Sequence, residues 1–290
     1  MNEKIQNILT EIESVVVGKN ENVEKILMAI LAQGHVLMED VPGVGKTTTA
    51  VNLSALLGAM GQRVLMIDLD PQGNTTSGLG MEVDDKSIYE VIMGRMKLAD
   101  VMEETEFKNL SIAGSDVRLA NAELELVEVE KREYRLKTAV QSVQQDFDFI
   151  FIDCPPSLGL LTINALGAAD SVLIPIQCEY YALEGVASLM NTISRVKKTI
   201  NPHLEIEGVL LTMLDGRTNL GLQVVDEVKK HFKKQVYATV IPRSVRLGEA
   251  PSHGEPIHVY DKRSAGCVAY VNLAKEVLKR NNIKVKEFKL

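Results

Sequence analysis

The sequence predicts an α/β fold: a doubly wound, mostly parallel sheet with a two-helix extension at its N-terminus. Three observations predict it. Short apolar segments alternate with stretches of helical periodicity over most of the chain. Those segments are apolar almost without a break, as strands buried on both faces of a parallel sheet must be. One strand-to-helix junction carries the glycine-rich run Gly43-Val44-Gly45-Lys46-Thr47.

In chain order, Ile5, Ile8, Leu9, Ile12, Val15 and Val16 repeat at helical spacing. Val23, Ile26, Leu27, Ile30 and Leu31 repeat the stripe, and Gly34 suits a helix end. Residues 1–34 are therefore expected to be a helical extension, and 35–290 one α/β domain. Strands are expected at His35–Met38, Val64–Ile67, Leu110–Ala113, Phe149–Ile152, Ser171–Ile176, Gly208–Met213 and Val236–Ile241. Helices are expected at Thr48–Met60, Ala182–Thr199, Leu220–Phe232 and Ala265–Arg280. There is no internal repeat and no low-complexity linker.

The 290 residues are 46% apolar, enough for a large core. No apolar run reaches the roughly 18 residues of a membrane helix, and the mixed polar and apolar Met1–Leu9 is not expected to be a secretory signal. Three cysteines, Cys154, Cys178 and Cys267, are widely spaced and odd in number, which suits buried thiols in a reducing cytoplasm. Neither they nor the five histidines have metal-ligand spacing. The net charge of −7 means that contact with nucleic acid would need a local basic patch.

The Gly43–Thr47 run lies between an expected strand and an expected helix. Glycines let the backbone curl so that N–H groups face phosphate oxygens, and the helix N-terminus adds positive dipole. Gly43, Val44, Gly45, Lys46, Thr47 and Thr48 are the expected nucleotide contacts. Lys46 would reach the β/γ phosphates and Thr47 would ligate Mg²⁺. Asp40 stands where the full phosphate-loop pattern has its first glycine. Two further strands end in carboxylates, one in Asp68 and Asp70, the other in Asp153 after Phe149-Ile150-Phe151-Ile152. Strand ends of this kind lie at the ligand edge of an open α/β sheet. Asp153 is expected to hold Mg²⁺ through water, and Asp68 is a further metal candidate. Each aspartate alone could equally be a strand-end cap.

From Gly43 onward, over about residues 43–290, the chain resembles the ParA/Soj/MinD family of P-loop NTPases, the deviant-Walker, SIMIBI-like branch. The stretches that carry the resemblance are Gly45–Ser54, Val64–Gly80, Phe149–Leu158, Glu179–Gly185, Gly208–Gly221 and Ile241–Gly254. The resemblance implies an ATPase of chromosome or plasmid partitioning. It would use ATP and Mg²⁺, dimerise around ATP, bind double-stranded DNA without sequence preference and answer to a ParB/Spo0J-like partner. Its location would be cytoplasmic, on the nucleoid. It implies that Lys46 and Asp70 are catalytic, with Asp70 activating the attacking water; the plain alternative is a loop cap for Gln72 and Gly73. It places Pro242 and Arg243 against the base, and Arg217 and Arg246 on DNA. Arg243, Arg246, Lys262 and Arg263, and Lys229, Lys230, Lys233 and Lys234, could equally be solvated faces.

Residues 1 to about 47 are similar instead to the start of MoxR-type AAA+ ATPases, through Val17-Gly18-Lys19 and Gly34–Thr47. The chain thus reads as a hybrid joined inside the phosphate loop. ParA-like loops carry an extra lysine that reaches the partner subunit's phosphates. Val41 holds that position here, and Pro42 replaces the next glycine. Two alternatives follow: a nucleotide-binding protein that does not dimerise or cycle normally, and a MoxR-like chaperone ATPase. The final helix, with Tyr270, Val271, Ala274, Val277 and Leu278 on one face, is expected to pack on the core, since the short tail Ile283–Leu290 suits membrane insertion poorly.

Overall fold

The computed structural model describes residues 34–38, 45–179, 182–285 and Phe288, with backbone alone at 34–38 and 182–185. The two expected N-terminal helices and the loop residues Asp40, Val41, Pro42, Gly43 and Val44 lie outside the described residues.

The strands are β1 (Gly34–Met38), β2 (Val64–Asp68), β3 (Met102–Glu104), β4 (Leu110–Ala113), β5 (Phe149–Asp153), β6 (Ser171–Gln177), β7 (Glu205–Leu214) and β8 (Val236–Pro242). They form one sheet in the order β3-β4-β2-β5-β1-β6-β7-β8. Every pairing is parallel except β3 with β4. All seven expected strands are present, several longer than expected; β7 begins at Glu205 instead of Gly208. Strand β3 was not foreseen. Its Met-Glu-Glu sequence lacks any apolar run, because an antiparallel edge strand needs little burial.

Alternation along the strands creates two cores. Leu65, Ile67, Ile150, Ile152, Val172 and Ile174 point to one face of the sheet. Val64, Met66, Phe149, Phe151, Leu173 and Leu210 point to the other. Each buried aromatic or aliphatic side chain of this kind contributes about 1.5–3 kcal/mol of transfer free energy. Helices α1 (Lys46–Ala59), α2 (Asn74–Gly78), α3 (Leu160–Ala168), α4 (Ala182–Thr199), α5 (Asn219–Phe232), α6 (Val245–Glu249) and α7 (Ala265–Arg280) follow in sequence. Helices α3, α4 and α5 cover the first face, with Leu161, Leu189, Ile193 and Val228 inward. Helices α1 and α7 cover the second. This is the doubly wound arrangement.

Helix α1 is buried nearly all round, so its polar residues need partners. Thr49 Oγ1 pairs with the Tyr270 hydroxyl at 2.9 Å, and Asn52 accepts the Ile257 N–H at 2.6 Å. Helix α7 buries the predicted face Tyr270, Val271, Ala274, Val277 and Leu278, and Ile283, Val285 and Phe288 of the tail pack on the same core. Its Glu276 accepts the N–H groups of Ala238 and Thr239 at 2.8 and 2.9 Å. These two residues sit where the β7–β8 register slips, so the carboxylate seals donors that an edge strand would expose. Among the described residues no helix is long and apolar enough to cross a membrane.

One close approach positions the site. Gly80 and Gly254 both have positive φ and back onto each other; a Cβ on Gly254 would stand 2.6 Å from the Gly80 Cα. Only glycine fits there, and the contact fixes the Asp68–Gly80 segment against the segment after α6.

Candidate nucleotide site

The carboxyl ends of the parallel strands share one edge of the sheet. β5 and β6, consecutive in sequence, lie on opposite sides of β1, so the chain reverses direction at β1; ligands bind at such switch points. Helix α1 starts there. Its N-cap is Gly45, which offers no side-chain cap, and its first turn holds no acid. Its leading N–H groups are therefore available to an anion.

Lys46, Thr47, Asp68 and Asp153 meet at this point. Lys46 is buried, 4% exposed, with Nζ 3.5 Å from Asp153 Oδ1. Thr47 Oγ1 donates to Asp153 Oδ2 at 3.0 Å. Asp68 stands directly opposite Asp153 in the β2–β5 register. Its carboxylate accepts from Thr76 N (2.9 Å), Thr76 Oγ1 (2.7 Å) and Asp70 N (3.1 Å). Burial, reinforced by the Asp153 charge, pushes the Asp68 carboxyl up to about 7. Two facing carboxylates in a dry site cannot both ionise freely, and Asp68, fully buried, is raised.

Asp70 is buried as well. Burial raises its carboxyl, while the Gln72 N–H and the Lys46 charge pull it back. Its Oδ1 accepts the Gln72 N–H at 2.9 Å and its carbonyl accepts the Gly73 N–H at 3.0 Å. The loop-cap alternative is thus real, and it coexists with a place within reach of the Lys46 charge.

These residues fit a divalent cation bound with phosphate. Asp153 Oδ1 is a buried oxygen that accepts no hydrogen bond. A polyphosphate entering beside the Asp70 and Asp153 carboxylates needs more positive charge than one ammonium supplies. Among the described residues no group of three His, Cys, Asp or Glu could hold a metal unaided. That suits Mg²⁺, which keeps waters and takes few protein ligands beside substrate phosphates.

The remaining predicted residues are not brought into this cluster. Thr48 is buried in the first turn of α1. Pro242 ends β8 opposite Leu214, and Arg243 donates its N–H to the Leu214 carbonyl at 3.1 Å. Both share the sheet edge with Lys46, but β6 and β7 stand between β1 and β8. The Arg243 side chain lies 3.7 Å from Glu179. Arg217 is 89% exposed and chelated by Asp215, at 2.9 and 2.7 Å; that pairing holds Asp215 well below the usual carboxylate range. Arg246 pairs with Glu249 at 2.9 Å and Asp261 at 3.5 Å. Sequence reasoning missed Thr75 and Thr76, which hold the two strand-end aspartates. The hydroxyl pair just after Gln72-Gly73-Asn74 was the available signal.

Comparison with known proteins places the chain among its relatives. Residues 36–206, more than half of the chain, match a family described as an AAA domain. The chain is 59% identical over 237 residues to the sporulation initiation inhibitor protein Soj of Bacillus subtilis, covering 81% of this chain and 94% of that protein. It is 51% identical over 244 residues to the chromosome partitioning protein ParA of Myxococcus xanthus, covering 83% and 86%. Among solved structures it is similar to cobyrinic acid a,c-diamide synthase from Mycobacterium smegmatis with bound ATP analog and magnesium, at TM-score 0.75 and 35% identity, covering 89% of this chain and 100% of that one. The Soj and ParA identities are higher, and the assignment follows them. The expected MoxR-like N-terminal segment finds no support: the family match begins at residue 36, and the relatives named above are Soj and ParA proteins. The chain belongs to the ParA/Soj family of chromosome-partitioning ATPases.

Proposed function

We propose that this ATPase hydrolyses Mg·ATP at the α1 N-terminus and uses the cycle to bind and release DNA as a dimer, in answer to a ParB/Spo0J-like partner. The observation that carries it is the convergence of Lys46, Thr47, Asp68, Asp70 and Asp153 at one strand edge. Gly43, Val44, Gly45, Thr47 and Thr48 cradle the phosphates with backbone N–H groups. Lys46 turns from Asp153 to the β/γ phosphates. Thr47 and, through water, Asp153 would hold Mg²⁺, with Asp68 behind them as a buried, proton-sharing neighbour. The cation supplies charge neutralisation at the transferring phosphoryl group. Asp70 orients the attacking water and accepts its proton on the carboxylate oxygen not committed to Gln72. Pro242 and Arg243 lie against the base. Arg217 and Arg246 contact DNA phosphates, which gives affinity without base readout. The protein acts in the cytoplasm, on the nucleoid.

Val41 and Pro42 favour a second reading, in which nucleotide binds but the dimer is weak. The experiment that separates them is phosphate release measured with and without DNA and a ParB-like protein. Stimulation by both supports the cycling ATPase; ATP binding without stimulated turnover supports the second reading.

A further inference from the structure

The first turn of α2 places two successive hydroxyls on the two strand-end aspartates. Thr76 takes Asp68, as described above. Thr75, fully buried, donates its Oγ1 to Asp153 Oδ2 at 2.5 Å. Thr47 donates to the same oxygen at 3.0 Å. Both donors thus lie on Oδ2. Oδ1 is left buried without a hydrogen bond, facing Lys46 at 3.5 Å. A carboxylate held by two donors on one oxygen cannot turn about its Cβ–Cγ bond without breaking both. The two donors differ in what fixes them. Thr47 is itself an expected ligand of the cation, so its geometry follows the cation. Thr75 comes from a separate element, whose next residue is anchored by two bonds to Asp68.

We propose that Thr75 is a positioning residue for the divalent cation: its hydroxyl locks the Asp153 carboxylate so that Oδ1, and not Oδ2, meets the cation's water shell. This rests on the assignment of Thr47 and Asp153 to the Mg²⁺ site. Thr75 touches neither the nucleotide nor the cation and acts through Asp153 alone.

The test titrates MgCl₂ into the full chain at fixed ADP and follows the thermal unfolding midpoint, with calorimetry of ADP binding in EDTA as the control. Thr75→Val should raise the Mg²⁺ concentration for half-maximal stabilisation about tenfold, the effect of one hydrogen bond to a charged group. Thr75→Ser should restore the parent midpoint, and ADP affinity in EDTA should stay within about twofold, because the hydroxyl contacts no phosphate. Thr75→Ala should behave as Thr75→Val, and serves where the valine is poorly accommodated. Asp153→Asn separates the failures. If Asp153→Asn shifts the Mg²⁺ midpoint and Thr75→Val and Thr75→Ala do not, the Thr75 role is overturned while the site stands. If Thr75→Ser shifts it as far as valine does, the effect is one of packing and the proposal is also overturned. If Asp153→Asn leaves the midpoint unmoved, the underlying Mg²⁺ assignment fails with it.

Discussion

Lys46→Ala removes the buried ammonium that faces Asp153, and two consequences follow from the structure. The first concerns the ligand-free fold. Lys46 and Asp153 are 4% and 0% exposed, 3.5 Å apart. Breaking a buried pair by deleting one partner costs about 3–5 kcal/mol when the other charge is stranded. Thr47 and Thr75 still satisfy Oδ2, so we expect about half of that, roughly 2 kcal/mol, in a chain that still folds. In a domain of this size 1 kcal/mol moves the melting temperature by about 2–4 °C, so the expected fall is about 4–8 °C. The second concerns ATP. Each charge-assisted bond to phosphate contributes about 1.5–3 kcal/mol, so affinity should drop at least about tenfold and up to about a hundredfold. Calorimetric titration with Mg·ATP and thermal unfolding of the ligand-free protein read the two effects separately. Unchanged ATP affinity would refute the phosphate-loop assignment. An unchanged melting temperature would show that the buried pair contributes no net stability.

Arg217→Ala combined with Arg246→Ala should weaken DNA binding about equally across sequences and reduce the salt slope by roughly 1 per lost phosphate contact; filter binding at several salt concentrations checks it, and nucleotide-independent or salt-independent binding would contradict it. Replacing Val41 by Lys and Pro42 by Gly should strengthen ATP-dependent dimerisation by roughly two to four decades, from two restored phosphate contacts per symmetric dimer; sedimentation in an Asp70→Ala background reads this, and a tight ATP dimer in the unrepaired chain would show the lysine to be dispensable. The ligand-free protein should lose stability as pH rises from 4 to 7. Asp68 is pushed from its ordinary 3.8 up to about 7, so between those values the folded state holds a proton that the unfolded chain has released. The loss is at most about 4 kcal/mol and is complete above pH 7. Asp68→Asn should flatten the profile, and an identical slope in that variant would place the titration elsewhere.

Most of the sheet was legible in the sequence because strands buried on both faces must be apolar throughout; Phe149–Ile152 and Val64–Ile67 leave no other reading. Helices α4 and α7 were legible to the residue, since each buries a stripe at helical spacing. Between Asp70 and Phe147 only the strand Leu110–Ala113 was legible. The rest folds as short helices, such as Ile88–Ile92 and Leu119–Glu125, too brief for a periodic signal, and as the polar strand β3. Motif reasoning reached Lys46, Thr47 and the aspartates, because glycine-rich loops and strand-end carboxylates announce themselves locally. It could not reach Thr75, whose significance lies in a partner 78 residues away. Nor could it show that Arg217 and Arg246 are each held by acidic neighbours, Asp215 in one case and Glu249 and Asp261 in the other. Charge clusters in sequence say nothing of the carboxylates folded against them.

The central claim is that this cluster hydrolyses ATP with Asp70 as the residue that orients water. Single-turnover phosphate release from pre-bound Mg·ATP, compared between the parent and Asp70→Ala, tests it most directly. The variant should bind ATP within about threefold of the parent, since the role proposed for Asp70 is on the attacking water, and its phosphate release should slow at least about a hundredfold, the usual range for a lost general base. Equal release rates at equal occupancy would reduce Asp70 to the cap of the Gln72 turn and contradict the mechanism.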